Sequence, residues 1–378
     1  PALEVIMRVG VPKEIKNHEY RVGLTPASVR EFTSRGHEVL VENNAGIGIG
    51  ADAAAYQAAG AKIATDAAQI FAESDMVVKV KEPQAVERAM LRPGQVLFTY
   101  LHLAPDPDQT RDLVSSGAVC IAYETVTDAK GGLPLLAPMS RVAGRLSIQA
   151  GAHCLERAQG GEGILLGGVP GVEPAEVVVI GGGVVGENAV QMALGLGSSV
   201  TVLDRSVDVL DRLSARFGPA LKTVYSTVEA TEKAVLAADL VVGAVLVKGA
   251  TAPKLVTADM VRAMRPGTVM VDVAIDQGGC FETSHATTHD DPTYVVDGVV
   301  HYCVANMPGA VPRTSTLALN NATLPHALAL ADKGWRQALA DDPHLAEGLN
   351  VHDGHITSLE VAEALGYDHT ELSSALAA

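Results

Sequence analysis

At 378 residues the chain is too long for one ordinary hydrophobic core and is expected to divide in two, since domains usually hold roughly 100 to 200 residues. Its 48% hydrophobic and 19% charged residues, with 37 glycines and few aromatics, suit compact α/β units and argue against disorder. A formal charge of -16 repels phosphate backbones and anionic lipid, which argues against nucleic-acid binding and favours a small-molecule ligand.

PALEVI precedes the first clear strand pattern and reads as an extension outside it. From Met7 the chain alternates short apolar runs with helical patterns: MRVGVP, PASVREFTSRG, EVLVE, a helix near DAAAYQAAG, MVVKVKEP, QVLFTY, DPDQTRDLVSSG and AVCIAYE. Repeated β-α alternation predicts a mainly parallel sheet covered by helices. SRVAGRLSIQAGAHCLERAQG, residues 140–160, reads as one long helix joining two domains. After the loop GGVPGVEP a second series follows, with strands at VVVIG, SVTVLD, TVYS, DLVVGAVL and TVMVDVAID. From about STLALNNATLPHALALADKGW onward the tail reads as helical, interrupted by prolines, and is expected to pack back on the first domain and leave a cleft between the two. Cys120, Cys154, Cys280 and Cys303 form no C-x-x-C pair, so reduced thiols are expected, with neither a disulfide framework nor a zinc site. No run approaches the ~18 apolar residues of a membrane span and no signal-peptide pattern opens the chain, so a cytoplasmic protein is expected.

VVVIGGGVVGENAVQMALGLGSSVTVLD carries G-x-G-x-x-G at Gly181, Gly183 and Gly186, directly after a strand and opening a helix. Asp204 ends the next strand, near the ~20-residue offset of a ribose-binding acid. Gly181 permits the tight turn, Gly183 lets a pyrophosphate approach the backbone, and Gly186 allows close packing of helix on strand. The bland alternative is a tight strand-to-helix connection and nothing more. Asp204 also sorts the cofactor, because a carboxylate accepts hydrogen bonds from a free 2′-hydroxyl and repels a 2′-phosphate, so NAD is preferred over NADP. Arg205, beside it, could tolerate the phosphate, and reads more plainly as a solvent-exposed or adenine-stacking side chain.

Polar residues also stand where the apolar strands of the first domain end: Lys81 after MVVKV, His102 after VLFTYL and Glu124 after VCIAY. Arg21 lies in KNHEYRVGLTP after the first strand, and Asp276 follows VMVDVAI in the second series. Ligands of open parallel sheets bind beyond the carboxyl ends of the strands, so such positions can share a crevice. Each has a plainer reading: solvated surface for Arg21 and Lys81, a satisfied buried histidine for His102, a turn cap for Asp276, and for Glu124 a helix cap or a carboxylate that supports its neighbours without being catalytic. His285 and His289 have metal-ligand spacing only on a helix, and Pro292 with the neighbouring threonines predicts a loop, so no metal is expected.

The segments VPKEIKNHEYRVGLTP, VKVKEP, FTYLHLA, GGVPGVEPAEVVVIGGGVVG, VDVAIDQGGCFE and CVANMPGAVPRTST together resemble the alanine dehydrogenase family, in order and over nearly the whole chain from Met7. The resemblance implies reversible NAD-dependent oxidative deamination of L-alanine to pyruvate and ammonium, and a homohexamer. It implies substrate binding by Arg21 and Lys81, general acid/base work by His102, catalysis by Asp276 and a cofactor contact from Ser140, for which a helix N-cap is the local alternative. The expected architecture is two Rossmann-like doubly wound parallel-sheet α/β domains separated by a cleft and joined by long helices. Residues 1–137 with 308–378 would form the substrate/catalytic domain and 138–307 the NAD-binding domain. Two other readings share the scaffold: the NAD-binding component of a proton-translocating transhydrogenase, and a noncatalytic NAD-binding protein.

Overall fold

The computed structural model describes residues 6–246 and 251–377; all of PALEVI except Ile6 lies outside them. Two compact units divide the chain, Pro1–Pro138 with Val311–Ala378, and Met139–Ala310. In the first unit lie β1 (Arg8–Val11), β2 (Glu38–Glu42), β3 (Lys62–Ala64), β4 (Met76–Val78), β5 (Val96–Thr99) and β6 (Val119–Ala122). The second holds β7 (Glu176–Ile180), β8 (Ser199–Asp204), β9 (Leu221–Tyr225), β10 (Leu240–Gly243), β11 (Val269–Asp272), β12 (Thr293–Val296) and β13 (Val299–Tyr302). The tail returns to the first unit with β14 (Leu349–His352) and β15 (His355–Ile356).

The first sheet has the order β15-β14-β6-β5-β4-β1-β2-β3, parallel from β6 to β3, with β14 antiparallel to β6 and β15 antiparallel to β14. Its parallel part has the doubly wound order 3-2-1-4-5-6, and the connection reverses between β1 and β4. The second sheet repeats that order as β9-β8-β7-β10-β11-β13, reversing between β7 and β10, and β12 closes its edge antiparallel to β13. Central strands such as Met76–Val78 and Leu240–Gly243 are buried throughout, which is why they read as continuous apolar runs and not as alternating ones. Phe71, Val77, Leu97, Leu113 and Val351 share the core of the first unit; Val178, Val241, Val261, Met270 and Phe281 share that of the second.

Four local readings change, the first being that the second series gains the strands Thr293–Val296 and Val299–Tyr302 after TVMVDVAID. The helix expected over residues 140–160 runs from Ala137 to Cys154, because Pro138 is tolerated in a first helical turn and the chain is already extended at Glu156. The tail is not wholly helical: after the 22-residue helix Pro312–Lys333, Leu349–His352 and His355–Ile356 extend the first sheet. KIA (Lys62–Ala64), unnoticed in the sequence, forms that sheet's other edge.

Candidate active site

The switch point of the first unit is built by the exits of β1 and β4. After β1 the polar segment Pro12–Thr25 turns inward, so that Glu14, Glu19 and Arg21 are all buried. Arg21 is 2% exposed, and Glu19 grips one edge of its guanidinium, with Nε and Nη2 donating to the two carboxylate oxygens at 2.6 and 2.7 Å. The next residues are fastened by the tail helix: Thr316 Oγ1 accepts from the Val22 N–H, and Asn320 both accepts from the Thr25 N–H and donates to the Gly23 carbonyl.

At the β4 exit, Lys79 is fully buried, and its ammonium donates to Glu14 at 3.0 Å and to Glu87 at 2.8 Å. Both carboxylates also take backbone N–H groups, from Val80 and Gln84. Burial, only partly offset by the Lys79 charge, leaves the Glu14 carboxyl above its ordinary range; burial would lower Lys79, but the two carboxylates outweigh it and hold the ammonium above its own. Two residues on, the half-buried Lys81 ammonium stands 3.9 Å from Glu82. Burial works against ionising Glu82, yet the Lys81 charge and the hydrogen bond from Lys16 hold its carboxyl below the usual range.

The β5 exit is hydrogen-bonded to this segment, with Thr99 Oγ1 donating to the Lys81 carbonyl at 3.0 Å and the Tyr100 N–H to the Val80 carbonyl at 3.2 Å. His102 therefore stands beside Lys81 in the fold although 21 residues separate them. It is exposed and has φ 52°, a left-handed conformation uncommon for a side chain other than glycine. Glu124, just past β6, holds it there by accepting the N–H groups of Leu101 at 3.2 Å and His102 at 2.5 Å. Tyr100 bridges the group: its ring lies 5.8 Å from the His102 ring, its hydroxyl donates to the Leu135 carbonyl, and the Arg21 charge acts on it. Burial keeps that phenol protonated. Arg21, Lys81 and His102 thus gather at the carboxyl ends of β1, β4 and β5, where a doubly wound sheet binds its ligand.

In the second unit the glycine turn leaves β7 and opens the helix Val184–Gly195. Gly181 has φ 99°, and a Cβ on Gly186 would lie 1.7 Å from the Gly181 carbonyl, so neither position accepts a side chain. Gly183, by contrast, has open space where its Cβ would be. That is the cradle a pyrophosphate needs, with a 12-residue helix supplying N–H donors and a positive dipole end. Asp204 stands at the end of β8 and accepts from the Gly182 N–H at 2.7 Å and the Ser206 N–H at 2.8 Å. A carboxylate has about four lone-pair sites, so it retains capacity for ribose hydroxyls. Arg205 is exposed. Ser140 lies inside the helix Ala137–Cys154 and so is not its N-cap; one turn on, Gly144 packs against the Val185 carbonyl at the start of the dinucleotide helix. Asp276 is exposed in the short turn Val273–Gln277 beyond β11. His285 and His289 lie in an irregular loop, the first stacked on Tyr294 and the second bonded to the Asn306 carbonyl.

The sequence reading passed over Glu19, Lys79 with its two glutamates, Tyr100 and Asp272, and left Glu124 without a catalytic part. The signal for Lys79, Tyr100 and Asp272 is an ionisable or hydroxyl-bearing residue inside or directly after an apolar run, as in MVVKV, VLFTY and VMVDV.

Models described as the alanine dehydrogenase/PNT N-terminal and C-terminal domains match residues 10–143 and 147–359. The chain belongs to the alanine dehydrogenase/PNT family. Within it, an alanine dehydrogenase of Halomonas elongata is 64% identical over 368 residues, covering 97% of this chain and 99% of that one. A solved L-alanine dehydrogenase structure superposes with a TM-score of 0.92 at 52% identity, covering 95% of this chain and 99% of its own. A transhydrogenase from Sinorhizobium meliloti shares the fold, with a TM-score of 0.82 at 24% identity over 92% of this chain and 99% of that one. The dinucleotide cradle of the second unit is what an NAD-binding member of this family requires.

Proposed function

We propose that this chain catalyses the reversible NAD-dependent oxidative deamination of L-alanine to pyruvate and ammonium. The observation that supports this most is 64% identity to an alanine dehydrogenase over almost the full length of both chains, against 24% for the transhydrogenase. When bound, NAD supplies the acceptor for the hydride of the alanine α-carbon. Gly181, Gly183 and Gly186 would hold its phosphates and Asp204 its ribose, with Ser140 as a further contact; the Asp204 carboxylate disfavours the 2′-phosphate of NADP.

Arg21 grips the substrate carboxylate. Because Glu19 holds Nε and Nη2 of the guanidinium, its orientation is set before the substrate arrives. Lys81 holds a substrate oxygen as a point charge. His102 removes a proton from the water that adds to the α-carbon and returns one to the departing amine. Asp276 offsets the positive charge that develops on the nitrogen. We further propose a cytoplasmic homohexamer, as the family resemblance implies; light scattering on the purified chain tests the number of subunits.

The direct test of these roles is His102→Ala. Alanine-dependent NADH formation is expected to fall by about 100-fold or more, with NADH affinity kept close to that of the parent. An unchanged rate contradicts the role of His102 and favours a noncatalytic NAD-binding protein. NADH binding without alanine turnover in the unsubstituted chain favours the transhydrogenase component.

A further inference from the structure

We infer that Asp272 is a positioning residue for this reaction, fixing the turn that presents Asp276. The inference rests on the proposed role of Asp276. Asp272 is the last residue of β11, fully buried after the apolar run Val-Met-Val, where a carboxylate is costly unless its oxygens are bonded. Among the described residues no cation pairs with it. Its partners come instead from the loop that follows. Oδ1 accepts the Ala274 N–H at 3.1 Å, and Oδ2 accepts the Cys280 N–H at 2.9 Å, the Phe281 N–H at 3.3 Å and the Ser284 hydroxyl at 2.5 Å. One buried carboxylate thereby ties the start of the loop to its end, and Asp276 lies on the arc between.

Asp276 is its opposite in each respect. It is exposed, and among the described residues no hydrogen bond or ion pair takes its carboxylate. Capping of the turn falls to Asp272, four residues earlier, which leaves the Asp276 carboxylate available for chemistry. The support continues outward, since Cys303 Sγ lies 3.8 Å from Ser284 Oγ and 3.5 Å from the Tyr294 hydroxyl, tying the clamp to the edge of the sheet. A misplacement of about 1 Å at a reacting group costs on the order of 100-fold in rate, so a clamp of this kind acts on kcat without touching substrate.

The test is a double-mutant cycle on the full chain, reading kcat for alanine oxidation, with NADH affinity from fluorescence titration. Asp272→Asn replaces one acceptor oxygen by an NH2 that faces donors in either orientation, and is expected to lower kcat by about 10- to 100-fold with NADH affinity near that of the parent. In an Asp276→Asn background it should slow the enzyme no further, because the group it positions is already gone. Ser284→Ala removes the 2.5 Å contact and leaves the buried carboxylate in place; it should show the same pattern more weakly, and it carries the test if Asp272→Asn does not fold. Substitutions that leave kcat unchanged, or that slow the Asp276→Asn enzyme by the same factor as the parent, overturn the positioning role. Asp276→Asn running at the parental rate overturns the role of Asp276 itself.

Discussion

Glu19 and Glu124 act through the residues they hold, and their removal is expected to read out differently. Glu19→Gln weakens a buried two-point contact that aims the Arg21 guanidinium. Its effect should fall on substrate binding, with KM for L-alanine and pyruvate rising about tenfold, the equivalent of about 1.4 kcal/mol, and kcat changing less. Glu124→Ala removes the acceptor of two backbone N–H groups beneath the left-handed His102, so kcat should fall while NAD binding persists. Steady-state kinetics on the two variants separates these outcomes. Arg21, Lys81 and His102 were legible as polar residues at strand ends. Glu124 was legible as one more of them, read as a cap or a supporting carboxylate; Glu19 was not, because a carboxylate beside a turn looks the same whether it is solvated or buried against a guanidinium.

At the scale of single elements, the glycine turn offers a contrast of two neighbouring substitutions. Gly186→Ala drives a methyl into the Gly181 carbonyl and should destabilise the chain by about 1–3 kcal/mol while abolishing NADH binding. Gly183→Ala meets open space and should cost less than about 1 kcal/mol in stability, yet still weaken NADH binding by filling the phosphate cradle. Thermal unfolding and NADH titration together check both. The β4 exit yields a prediction in pH. Lys79→Met leaves Glu14 and Glu87 facing one another in the core, with an expected loss of about 3–5 kcal/mol at pH 8. The Glu14 carboxyl is already raised in the folded state by burial, and losing the Lys79 charge raises it further. A raised carboxyl favours the folded state below its unfolded pKa and loses that advantage as pH rises through the folded value. The stability gap between Lys79→Met and the parent should therefore narrow as the solution is acidified towards pH 4.5, and a gap that widens contradicts this reading. Most strands buried on both faces were plain in the sequence as apolar runs, but VVHY (Val299–Tyr302), buried throughout, was passed over with its antiparallel neighbour TYVV. The edges were not: KIA has only three residues, and LNVH and HI sit among helical segments, with pairing partners in a part of the chain that sequence order does not bring near.

For the molecule as a whole, two sheets carry the same 3-2-1-4-5-6 order, and each places its candidate residues at the carboxyl ends of its strands. Sequence alternation sufficed to recognise parallel α/β units. It did not reveal which strands neighbour one another, since that depends on pairing across the sheet and not on order along the chain. The repeated order explains why candidate residues cluster after so many different strands. Among the described residues, however, only those of the second unit form the glycine cradle for a dinucleotide, whereas the switch point of the first is filled by Glu14, Lys79 and Glu87 and bordered by Arg21 and Lys81. A cluster of charged side chains that includes Arg21 and Lys81 at the strand ends of one sheet, and a dinucleotide turn on the other, fit the proposed dehydrogenase of a small carboxylate-bearing substrate. The decisive measurement is an assay of the purified full chain with a panel of amino acids and both nicotinamide cofactors, following reduced cofactor and ammonium together. NADH and ammonium released in equal amounts with L-alanine, and little formation of NADPH, is the predicted result; normal NADH binding with no turnover of L-alanine would contradict it.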